Sequence, residues 1–352
     1  MKVAYDVGTQ LAHPTGVTRY ALELADALED LGIELCRYMV SLRARGIPSS
    51  VRRWRLPATA LQVSWMAFDR PRIERLTGDV DLVHGTNFIV PPSRAPSVVT
   101  VHDLSFIPEH GYVRNWRLAM MTPRSLARAD ALLVPSQAIA DEISAVYNVA
   151  RERLFVTFEG VSDDFLNATP LDDVALARFG IKRPFIMALG TIQPRKNLHR
   201  LIEAWSLAAD TLRDWSLAIV GPWGWGNELP DAPRVVRSGW VGDADLPGLL
   251  AAADVFCYPS LYEGFGLPPL EAMAAGTATI AGDYGAATEI LGDSALIVDR
   301  SDVAAIADGL IRVATDDEFR VKLANAGHMR ASTYTWRRTA EATAAAYRAV
   351  LM

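Results

Sequence analysis

The chain has 352 residues, half of them hydrophobic, and its formal net charge is −6 at pH 7. This length predicts two domains of ordinary size, each with its own core. The negative charge gives no reason to expect nucleic acid, and no uncharged apolar run reaches the roughly 18 residues that a membrane span needs. Residues 1–6 are typical of a strand interrupted by an acidic residue and not of a signal peptide, so we expect a cytoplasmic protein.

Basic residues are concentrated in residues 37–75. This segment holds nine arginines and two acidic residues, so its formal charge is +7 although the whole chain carries −6. Trp54, Trp65, Met66 and Phe68 lie among the arginines. The composition suits contact with an anionic membrane or a lipid-phosphate acceptor, which would bring the protein to the inner face of the cell membrane. A solvated basic face beside ordinary core aromatics would have the same composition.

The N-terminal half alternates strands with helices, which predicts a parallel sheet. The first loop, residues 8–16, lacks the G-x-G-x-x-G pattern, and this disfavours a dehydrogenase. Its Pro14-Thr15-Gly16 turn at the helix start could meet an anionic group or be a plain turn. We expect strands at 2–7, 33–40, 80–84, 97–101, 131–134 and 154–158, and helices at 17–31 and from 137.

Polar residues follow four of these strands. One strand ends in residues 84–87 (His-Gly-Thr-Asn) and the next in His102-Asp103, while Ser136 and Glu159 follow the last two. Parallel strands bring their carboxyl ends to one edge of the sheet, where open α/β sheets bind ligands. A single histidine there is more often structural, but two at neighbouring strand ends favour a functional site.

The alternation starts again after a polar connection. We expect domains at 1–165 and 184–333, a linker at 166–183 and a final helix at 334–352. In the second half we expect strands at 185–189, 216–220, near 235, at 253–258, after the next helix and at 296–298, and helices from 198, 246 and 268 and at 303–314, 317–331 and 336–350.

The most informative stretch runs from Tyr258 to Asp283, where a strand leads into a Gly-rich loop and a helix that begins with a proline. The N–H groups of the first helical turn, with the helix dipole, favour a phosphate. Gly264 and Gly266 let the backbone approach a ligand closely. A carboxylate does not bind phosphate, so Glu263 and Glu271 are predicted to accept hydrogen bonds from a diol. Either glutamate alone would be more simply explained as a solvated loop residue or a first-turn residue.

A second loop carries cations. Residues 190–197 (Gly-Thr-Ile-Gln-Pro-Arg-Lys-Asn) follow a strand, precede a helix and hold one of only four lysines in the chain. Arg195 and Lys196 are predicted to neutralise a diphosphate, although solvated loop cations are common.

No metal or other cofactor is expected. The chain contains two D-x-D patterns, at 79–81 and 243–245, of the kind that binds a metal diphosphate. The first runs straight into a strand, and the last aspartate of the second lies where a helix N-cap belongs. Both are therefore predicted to be structural.

Residues 262–272 resemble the E-x7-E signature of the retaining glycosyltransferases of family 4. The 190–197 loop, His102-Asp103 and the helix from Trp336 resemble that family too, and the likeness extends over essentially the whole chain. It implies the α/β GT-B fold, in which two Rossmann-like, doubly wound parallel-sheet domains face a cleft and the C-terminal helix crosses back to the N-terminal domain. Pro-Arg-Lys-Asn, the later Gly-Trp and the 84–87 motif are most similar to bacterial mannosyltransferase-type members.

The resemblance implies a reaction and a division of labour. A hexose would move from a nucleotide diphosphate sugar, with GDP-mannose favoured, to a hydroxyl of a glycan, lipid-linked or small-molecule acceptor. The anomeric configuration would be retained and no metal would be needed. The N-terminal domain would bind the acceptor and the C-terminal domain the nucleotide sugar.

The resemblance also implies the role of individual residues. The catalytic residues would be His102 beside the donor sugar, Glu263 at its hydroxyls and Lys196 at the departing diphosphate. Gly266 and Leu267 would offer N–H groups to the diphosphate, Glu271 would bind the ribose diol, and the backbone of Val241 would read the base. The full donor-binding set is Arg195, Lys196, Val241, Glu263, Gly264, Phe265, Gly266, Leu267 and Glu271. The acceptor-binding set is Gly16, His84, Asn87 and Asp103.

Two positions depart from the family pattern. Many members have Arg directly after the glycine of the 190–197 loop, where this chain has Thr191, and Arg195 is the expected substitute. Many have Gly-Gly where this chain has Thr15-Gly16. Three alternatives stay open: a UDP-sugar-dependent transferase, a GT-B sugar-nucleotide epimerase and a non-catalytic sugar-nucleotide-binding protein.

Overall fold

The computed structural model describes residues 1–8, 16–107, 110–112 and 116–352. Pro14 and Thr15 of the predicted anion-meeting turn lie outside these described residues. The chain forms two compact units, Met1–Gly160 with Thr335–Met352 and Val161–Tyr334. Each unit is built on one parallel sheet, so the predicted α/β class is confirmed.

The first unit contains a seven-stranded sheet in the order β3-β2-β1-β4-β5-β6-β7, with all neighbouring strands parallel. The strands are β1 Lys2–Asp6, β2 Glu34–Val40, β3 Arg52–Trp54, β4 Leu82–Gly85, β5 Ser97–Thr100, β6 Ala131–Val134 and β7 Leu154–Val156. The first five helices are α1 Gly16–Asp30, α2 Ala58–Phe68, α3 Glu74–Thr77, α4 Trp116–Arg128 and α5 Gln137–Tyr147. Strands β4, β5 and β6 are buried along their whole length, as expected for a parallel sheet that helices cover.

The second unit contains a six-stranded parallel sheet in the order β10-β9-β8-β11-β12-β13. The strands are β8 Phe185–Leu189, β9 Ser216–Val220, β10 Val235–Gly239, β11 Val255–Tyr258, β12 Ala278–Gly282 and β13 Leu296–Val298. The helices are α6 Asp163–Leu166, α7 Asp173–Ala177, α8 Leu198–Ala208, α9 Leu246–Ala252, α10 Leu267–Ala274, α11 Ala287–Leu291, α12 Val303–Thr315 and α13 Asp317–Ala331. The fully buried Trp205 of α8 packs in a core with Leu217 and Ile219 of β9.

Residues 166–183, expected to link the two domains, lie within the second unit and include α7. The sequence predicts a helix at 171–179, and the observed helix is shorter. It begins after Asp172, whose carboxylate accepts a hydrogen bond from the backbone N–H of Ala175 at 2.8 Å. This N-cap bond defines the start of the helix.

The last helix, α14 (Trp336–Leu351), belongs to the first unit, as predicted. Its buried face, which includes Trp336 and Tyr347, shares a core cluster with Tyr20 and other buried residues of α1. The chain approaches the start of α14 so closely that a Cβ at Gly160 would lie 2.3 Å from the backbone nitrogen of Trp336. Only glycine fits at this contact.

The strand order reverses at one point in each sheet. In the first sheet β1 lies beside β4, and in the second β8 lies beside β11. The connections from such strands leave in opposite directions, so a crevice opens at their carboxyl ends. In the second unit, the loops that begin there are residues 190–197 and 259–266.

None of the helices in the described part of the chain has the length and apolarity that crossing a membrane requires.

Candidate active site

The loops after β8 and β11 are bonded to each other at the strand-order reversal of the second sheet. The backbone N–H of Leu261 donates to the carbonyl of Arg195 at 2.8 Å, and the Asn197 side chain donates to the carbonyl of Pro259 at 3.0 Å. Asn197 has a left-handed φ of 59°, which asparagine tolerates better than most residues. These bonds fix the loop that carries the cations beside the loop that carries Glu263.

Glu263 lies at the centre of this cluster. Its Oε2 accepts a hydrogen bond from Nη1 of Arg195 at 2.5 Å, and its Oε1 accepts one from Nζ of Lys196 at 2.8 Å. The hydroxyls of Tyr258 and Ser260 also donate to Oε1, at 2.8 and 2.6 Å. The side chains of Arg195, Lys196 and Glu263 are only 10–13% exposed. The structure therefore brings together the three predicted residues that carry charge at this edge.

The cations decide the ionisation of Glu263. Burial alone would raise the pKa of its carboxyl, but the attraction of Arg195 and Lys196, with hydrogen bonds from Lys196 and Ser260, lowers that pKa to about 2. Burial and the adjacent carboxylate raise the pKa of Tyr258 well above its ordinary value, so its hydroxyl is a neutral donor. Around this carboxylate two cations face one anion in a poorly hydrated place, an arrangement that suits a diphosphate.

The loop continues from Glu263 into α10. Gly266 precedes this helix with a φ of 102°, a conformation that favours glycine. Phe265 is buried and packs edge-on against Tyr334, with ring centroids 6.0 Å apart. Within the described chain no side chain caps the first turn of α10. The helix begins Leu-Pro-Pro, and proline has no backbone N–H, so the donors that can meet an anion at this end are the N–H groups of Gly266 and Leu267.

Replacing Gly266 by alanine is expected to destabilise the protein more than the same change at Gly276. Both glycines have positive φ, 102° and 78°, so alanine is strained at either position. A Cβ at Gly276 would meet open space, whereas one at Gly266 would lie 2.3 Å from the hydroxyl of Tyr284. In urea unfolding we expect a loss of about 1 kcal/mol for Gly276→Ala and about 3 kcal/mol for Gly266→Ala.

A double variant tests the cause of that difference. Gly266→Ala/Tyr284→Phe lacks the hydroxyl that the new Cβ would meet, and it should recover part of the lost stability. The hydroxyl of Tyr284 is buried without a hydrogen-bond partner among the described residues, so Tyr284→Phe alone should cost little. Equal losses at the two glycines, or no recovery in the double variant, would contradict a collision at this position.

Two further residues predicted to bind the donor lie in the same unit. Glu271 is on α10 and is 3% exposed. Val241 follows β10 by two residues and is buried, while the adjacent Trp240 is 53% exposed. Glu271 therefore lies in the helix that follows the Glu263 loop, and Val241 lies after the edge strand β10, which is two strands away from β8 in the same sheet.

A second group of predicted residues lies at the carboxyl edge of the first sheet. His102 follows β5, and its Nε2 donates to the carbonyl of Thr86 at 2.9 Å while its Nδ1 lies 3.3 Å from Oε1 of Glu159. The ring of Tyr20 packs edge-on against the imidazole, with centroids 4.7 Å apart. The Thr86 hydroxyl donates to the carbonyl of Asp6 at 2.8 Å. These contacts join the ends of β1, β4, β5 and β7.

The residues predicted to bind the acceptor are near this edge. Asn87 is half-buried, and its Oδ1 is buried with no hydrogen-bond partner in the described ranges. Asp103 accepts hydrogen bonds from the backbone N–H and the hydroxyl of Ser105, at 3.0 and 2.8 Å. Gly16 is exposed at the start of α1. Asn87 thus has an acceptor oxygen that the fold does not use.

His84 does not fit the predicted contact with an acceptor, and we correct that prediction. The side chain is fully buried; its Nδ1 bonds the hydroxyl of Tyr347 at 2.6 Å and its Nε2 bonds the hydroxyl of Thr100 at 2.7 Å. Burial, and then repulsion from His102, lowers the pKa of His84 to about 3, so the imidazole is neutral. Both ring nitrogens are occupied in tying β4 to β5 and α14, which is a structural role.

The two D-x-D patterns have other partners. Asp81 accepts the backbone N–H of Lys2 at 2.7 Å, and Asp245 pairs with Arg178 at 3.1 Å. Asp245 stands directly before α9, but its side chain does not make the expected N-cap hydrogen bond, because it is turned to Arg178. Over the ranges that the structure covers, no three His, Cys, Asp or Glu side chains are grouped as a metal ion would require.

Three members of these groups were not predicted. Tyr258 and Ser260 hold Glu263, and the available signal was their place at the end of β11 in the same loop. Glu159 was recognisable as a polar residue at a strand end, but its contact with His102 depends on β5 and β7 lying in one sheet.

Comparison with known proteins supports the family resemblance. The sequence model described as Glycosyltransferase Family 4 matches residues 14–165, and the one described as Glycosyl transferases group 1 matches residues 177–330. The O-antigen chain mannosyltransferase B of Escherichia coli is 31% identical over 281 residues, which are 76% of this chain and 74% of that protein. The serotype-specific mannosyltransferase WbdA of Escherichia coli is 28% identical over 60% of this chain but only 28% of its own length.

Solved structures show the same fold. Sucrose-phosphate synthase from Thermosynechococcus elongatus has a TM-score of 0.75 at 19% identity, covering 99% of this chain and 98% of that one. Anabaena HepE in complex with UDP-glucose has a TM-score of 0.74 at 18% identity, covering 99% and 100% of the two chains. At these identities the likeness shows the GT-B fold alone, while the sequence comparisons show that the chain belongs to glycosyltransferase family 4.

Proposed function

We propose that this glycosyltransferase moves mannose from GDP-mannose to a hydroxyl of a glycan, lipid-linked or small-molecule acceptor, with retention at the anomeric carbon. The observation that supports it most directly is the nearly buried cluster of Arg195, Lys196 and Glu263. A nucleoside diphosphate gains negative charge as it leaves the sugar, and prearranged cations stabilise that charge in the transition state. Membership of family 4 makes glycosyl transfer the reaction class.

Within the second unit, each part of the donor has a proposed partner. Lys196 and Arg195 neutralise the diphosphate. Arg195 takes the place of the arginine that many family members have at the position of Thr191. The N–H groups of Gly266 and Leu267 meet the same phosphates at the start of α10. The backbone of Val241 reads the base.

The two glutamates take the hydroxyls of the donor in this proposal. Glu271 binds the ribose diol. Glu263 holds the two cations in place before the donor arrives, because both of its oxygens are already hydrogen-bonded. It accepts sugar hydroxyls when Tyr258 or Ser260 gives up its bond to Oε1.

Within the first unit, the carboxyl edge of the sheet is proposed to bind the acceptor. The unused oxygen of Asn87, the carboxylate of Asp103 and the backbone at Gly16 are the groups available to acceptor hydroxyls. His102 is proposed to contact the transferred sugar. Its ring is held by Thr86 and Glu159, which gives it one orientation.

The identity of the donor sugar nucleotide is the most specific part of this proposal. The two Escherichia coli relatives are named mannosyltransferases, which favours GDP-mannose. HepE, with the same fold, binds UDP-glucose, so the fold itself does not decide between guanine and uracil. We also propose that the enzyme uses no metal ion, because the diphosphate charge is balanced by Arg195, Lys196 and backbone N–H groups.

A panel of nucleotide sugars tests the donor. GDP-mannose should give the largest thermal shift and the fastest donor hydrolysis among GDP-mannose, GDP-glucose, UDP-glucose and UDP-galactose, and EDTA should leave the rate unchanged. A preference for a UDP-sugar would overturn the proposed donor but not glycosyl transfer. Conversion of the donor to an epimer without an acceptor would indicate an epimerase. Tight binding with neither hydrolysis nor transfer would indicate a binding protein.

Peripheral contact with an anionic membrane through residues 37–75 also belongs to this proposal. Part of the segment serves the fold: Arg37 pairs with two acidic residues of α1, Arg53 donates to two backbone carbonyls, and Trp65 is buried with its indole N–H bonded to Pro71. Phe68, in contrast, is 73% exposed. The segment therefore combines internal and outward-facing residues, and only the latter can meet a membrane.

A further inference from the structure

A groove opens at the amino edge of the first sheet, at the opposite end of the strands from His102. Ser97, the first residue of β5, and Asp130, directly before β6, lie in its wall. Its volume is about 630 Å³, within the range of small-ligand sites. Four of the residues that line it are arginines: Arg72, Arg94, Arg124 and Arg128.

Acidic side chains fix the wall of the groove, largely through bonds to its backbone. Glu74 accepts hydrogen bonds from the hydroxyl of Ser93 at 2.8 Å and from the backbone N–H groups of Arg94 and Ala95. Asp130 likewise accepts the backbone N–H of Ser97 at 2.8 Å. The segment from 93 to 97 is therefore held in place by carboxylates that bond to its backbone.

The four guanidinium groups divide into two pairs. Arg128 is anchored: it donates to the carbonyls of Val90 and Trp65, at 2.7 and 3.0 Å, and to Asp69 at 2.5 Å. Arg124 shares Asp69, at 3.1 Å. The guanidinium groups of Arg72 and Arg94 make no hydrogen bond or ion pair with any of the described residues, and both side chains are exposed. Asp69 thus pairs with two of the arginines, and the other two form no ion pair within the part of the chain that the structure describes.

Exposed apolar side chains lie on the two helices that adjoin the groove: α4 contributes lining residues, and Asp69 of the lining directly follows α2. Helix α2 contains no charged residue, and its Val63 and Phe68 are 59% and 73% exposed. Helix α4 exposes Trp116 and Met120, at 67% and 49%. Residues 116, 120 and 124 are spaced by four, so the apolar side chains and Arg124 share one face of α4. The bonds of Arg128 to Trp65 and Asp69 tie α4 to the end of α2.

We propose that this groove binds the phosphate groups of anionic phospholipids while the exposed side chains of α2 and α4 enter the headgroup layer. Arginines matched to phosphate and apolar side chains on neighbouring helices are the combination that holds a protein at an anionic membrane surface. A soluble phosphate would use the arginines but not Phe68 or Trp116. The inference deepens the membrane contact proposed above and is independent of the identity of the donor.

Vesicle sedimentation with two matched double variants tests the groove. Arg72→Gln/Arg94→Gln removes two charges inside it, and Arg43→Gln/Arg45→Gln removes two exposed charges of the same basic segment outside it. On equimolar phosphatidylcholine–phosphatidylglycerol vesicles, the groove variant should partition about 25-fold less than the wild type, since each arginine at an anionic surface contributes about fivefold. The control variant should stay close to the wild type. Phe68→Ser/Trp116→Ser should weaken binding at high salt as well as at low salt, because its effect is not electrostatic.

Other outcomes would overturn the proposed phospholipid site. Equal losses of vesicle binding in the two arginine variants would mean that binding depends on diffuse charge and not on a defined site in the groove. Wild-type protein that binds neutral and mixed vesicles equally, or neither, would end the membrane contact as a whole. If the groove variant loses affinity for inorganic phosphate but binds vesicles like the wild type, the ligand is a soluble anion. Donor hydrolysis by Arg72→Gln/Arg94→Gln in solution should equal that of the wild type. A change in vesicle binding would then concern the groove alone and would leave the proposed donor untouched.

Discussion

Replacing Lys196 by alanine should lower kcat/KM for the nucleotide sugar by about 10²–10³-fold, the scale seen when one prearranged donor to a developing oxyanion is removed. Its side chain is only 10% exposed, and its ammonium group is held by Glu263 and the hydroxyl of Tyr258, with the Tyr258 ring 4.7 Å from the nitrogen. A cation held in this way needs little reorganisation when the diphosphate leaves. The loss should therefore appear mainly in kcat, measured from initial rates of donor hydrolysis or transfer.

Two control variants make this result specific. Lys182→Ala removes an exposed lysine of the same unit and should keep wild-type turnover. Lys196→Arg keeps the charge and should retain more activity than Lys196→Ala, at a level limited by the different shape of the guanidinium. Thermal unfolding of each variant shows whether the fold is intact. Wild-type turnover by a folded Lys196→Ala enzyme would exclude the proposed role of this cluster.

The sequence predicts the strands of this fold well where apolar runs are short and bounded by turn residues. Strands β6, β8 and β9 have the predicted bounds, because parallel strands buried on both faces are continuous apolar runs. Helix α2 was missed because it lacks the alternation of apolar and polar faces on which helix prediction depends. Strand β3 was missed because it is a three-residue edge strand rich in arginine.

The candidate site, too, could be predicted from the sequence only in part. Local motifs predict that Glu263, Arg195 and Lys196 meet a ligand, but not that they bond to one another. That pairing depends on β8 lying beside β11, a neighbour relation that is not visible from the sequence distance between the two loops. His84 shows the opposite case. Its place at a strand end suggested a ligand contact, whereas its orientation toward Tyr347 of α14 could be known only from the fold.

Replacing Glu263 by glutamine should destabilise the protein by on the order of 3 kcal/mol at pH 7. The folded-state pKa of Glu263 is about 2, against 4.5 for an unperturbed glutamate. A carboxyl whose pKa is lowered by folding stabilises the folded state above its unfolded pKa and loses that contribution as the pH falls toward the folded pKa. The difference in unfolding free energy between wild type and variant should therefore be full above pH 4.5 and shrink toward pH 2, as measured by urea unfolding across this range.

The reason for the loss is that the variant leaves Arg195 and Lys196 nearly buried without a carboxylate. Removing one of these cations as well, in Glu263→Gln/Lys196→Met, should restore part of the stability, because one fewer buried charge is left unpaired. Glu203→Gln changes an exposed glutamate of α8 and should alter stability little at any pH. A difference between wild type and Glu263→Gln that stays constant from neutral pH down to pH 2 would mean that Glu263 is not the ionised partner of these cations, and the charge balance proposed for the diphosphate site would fail with it.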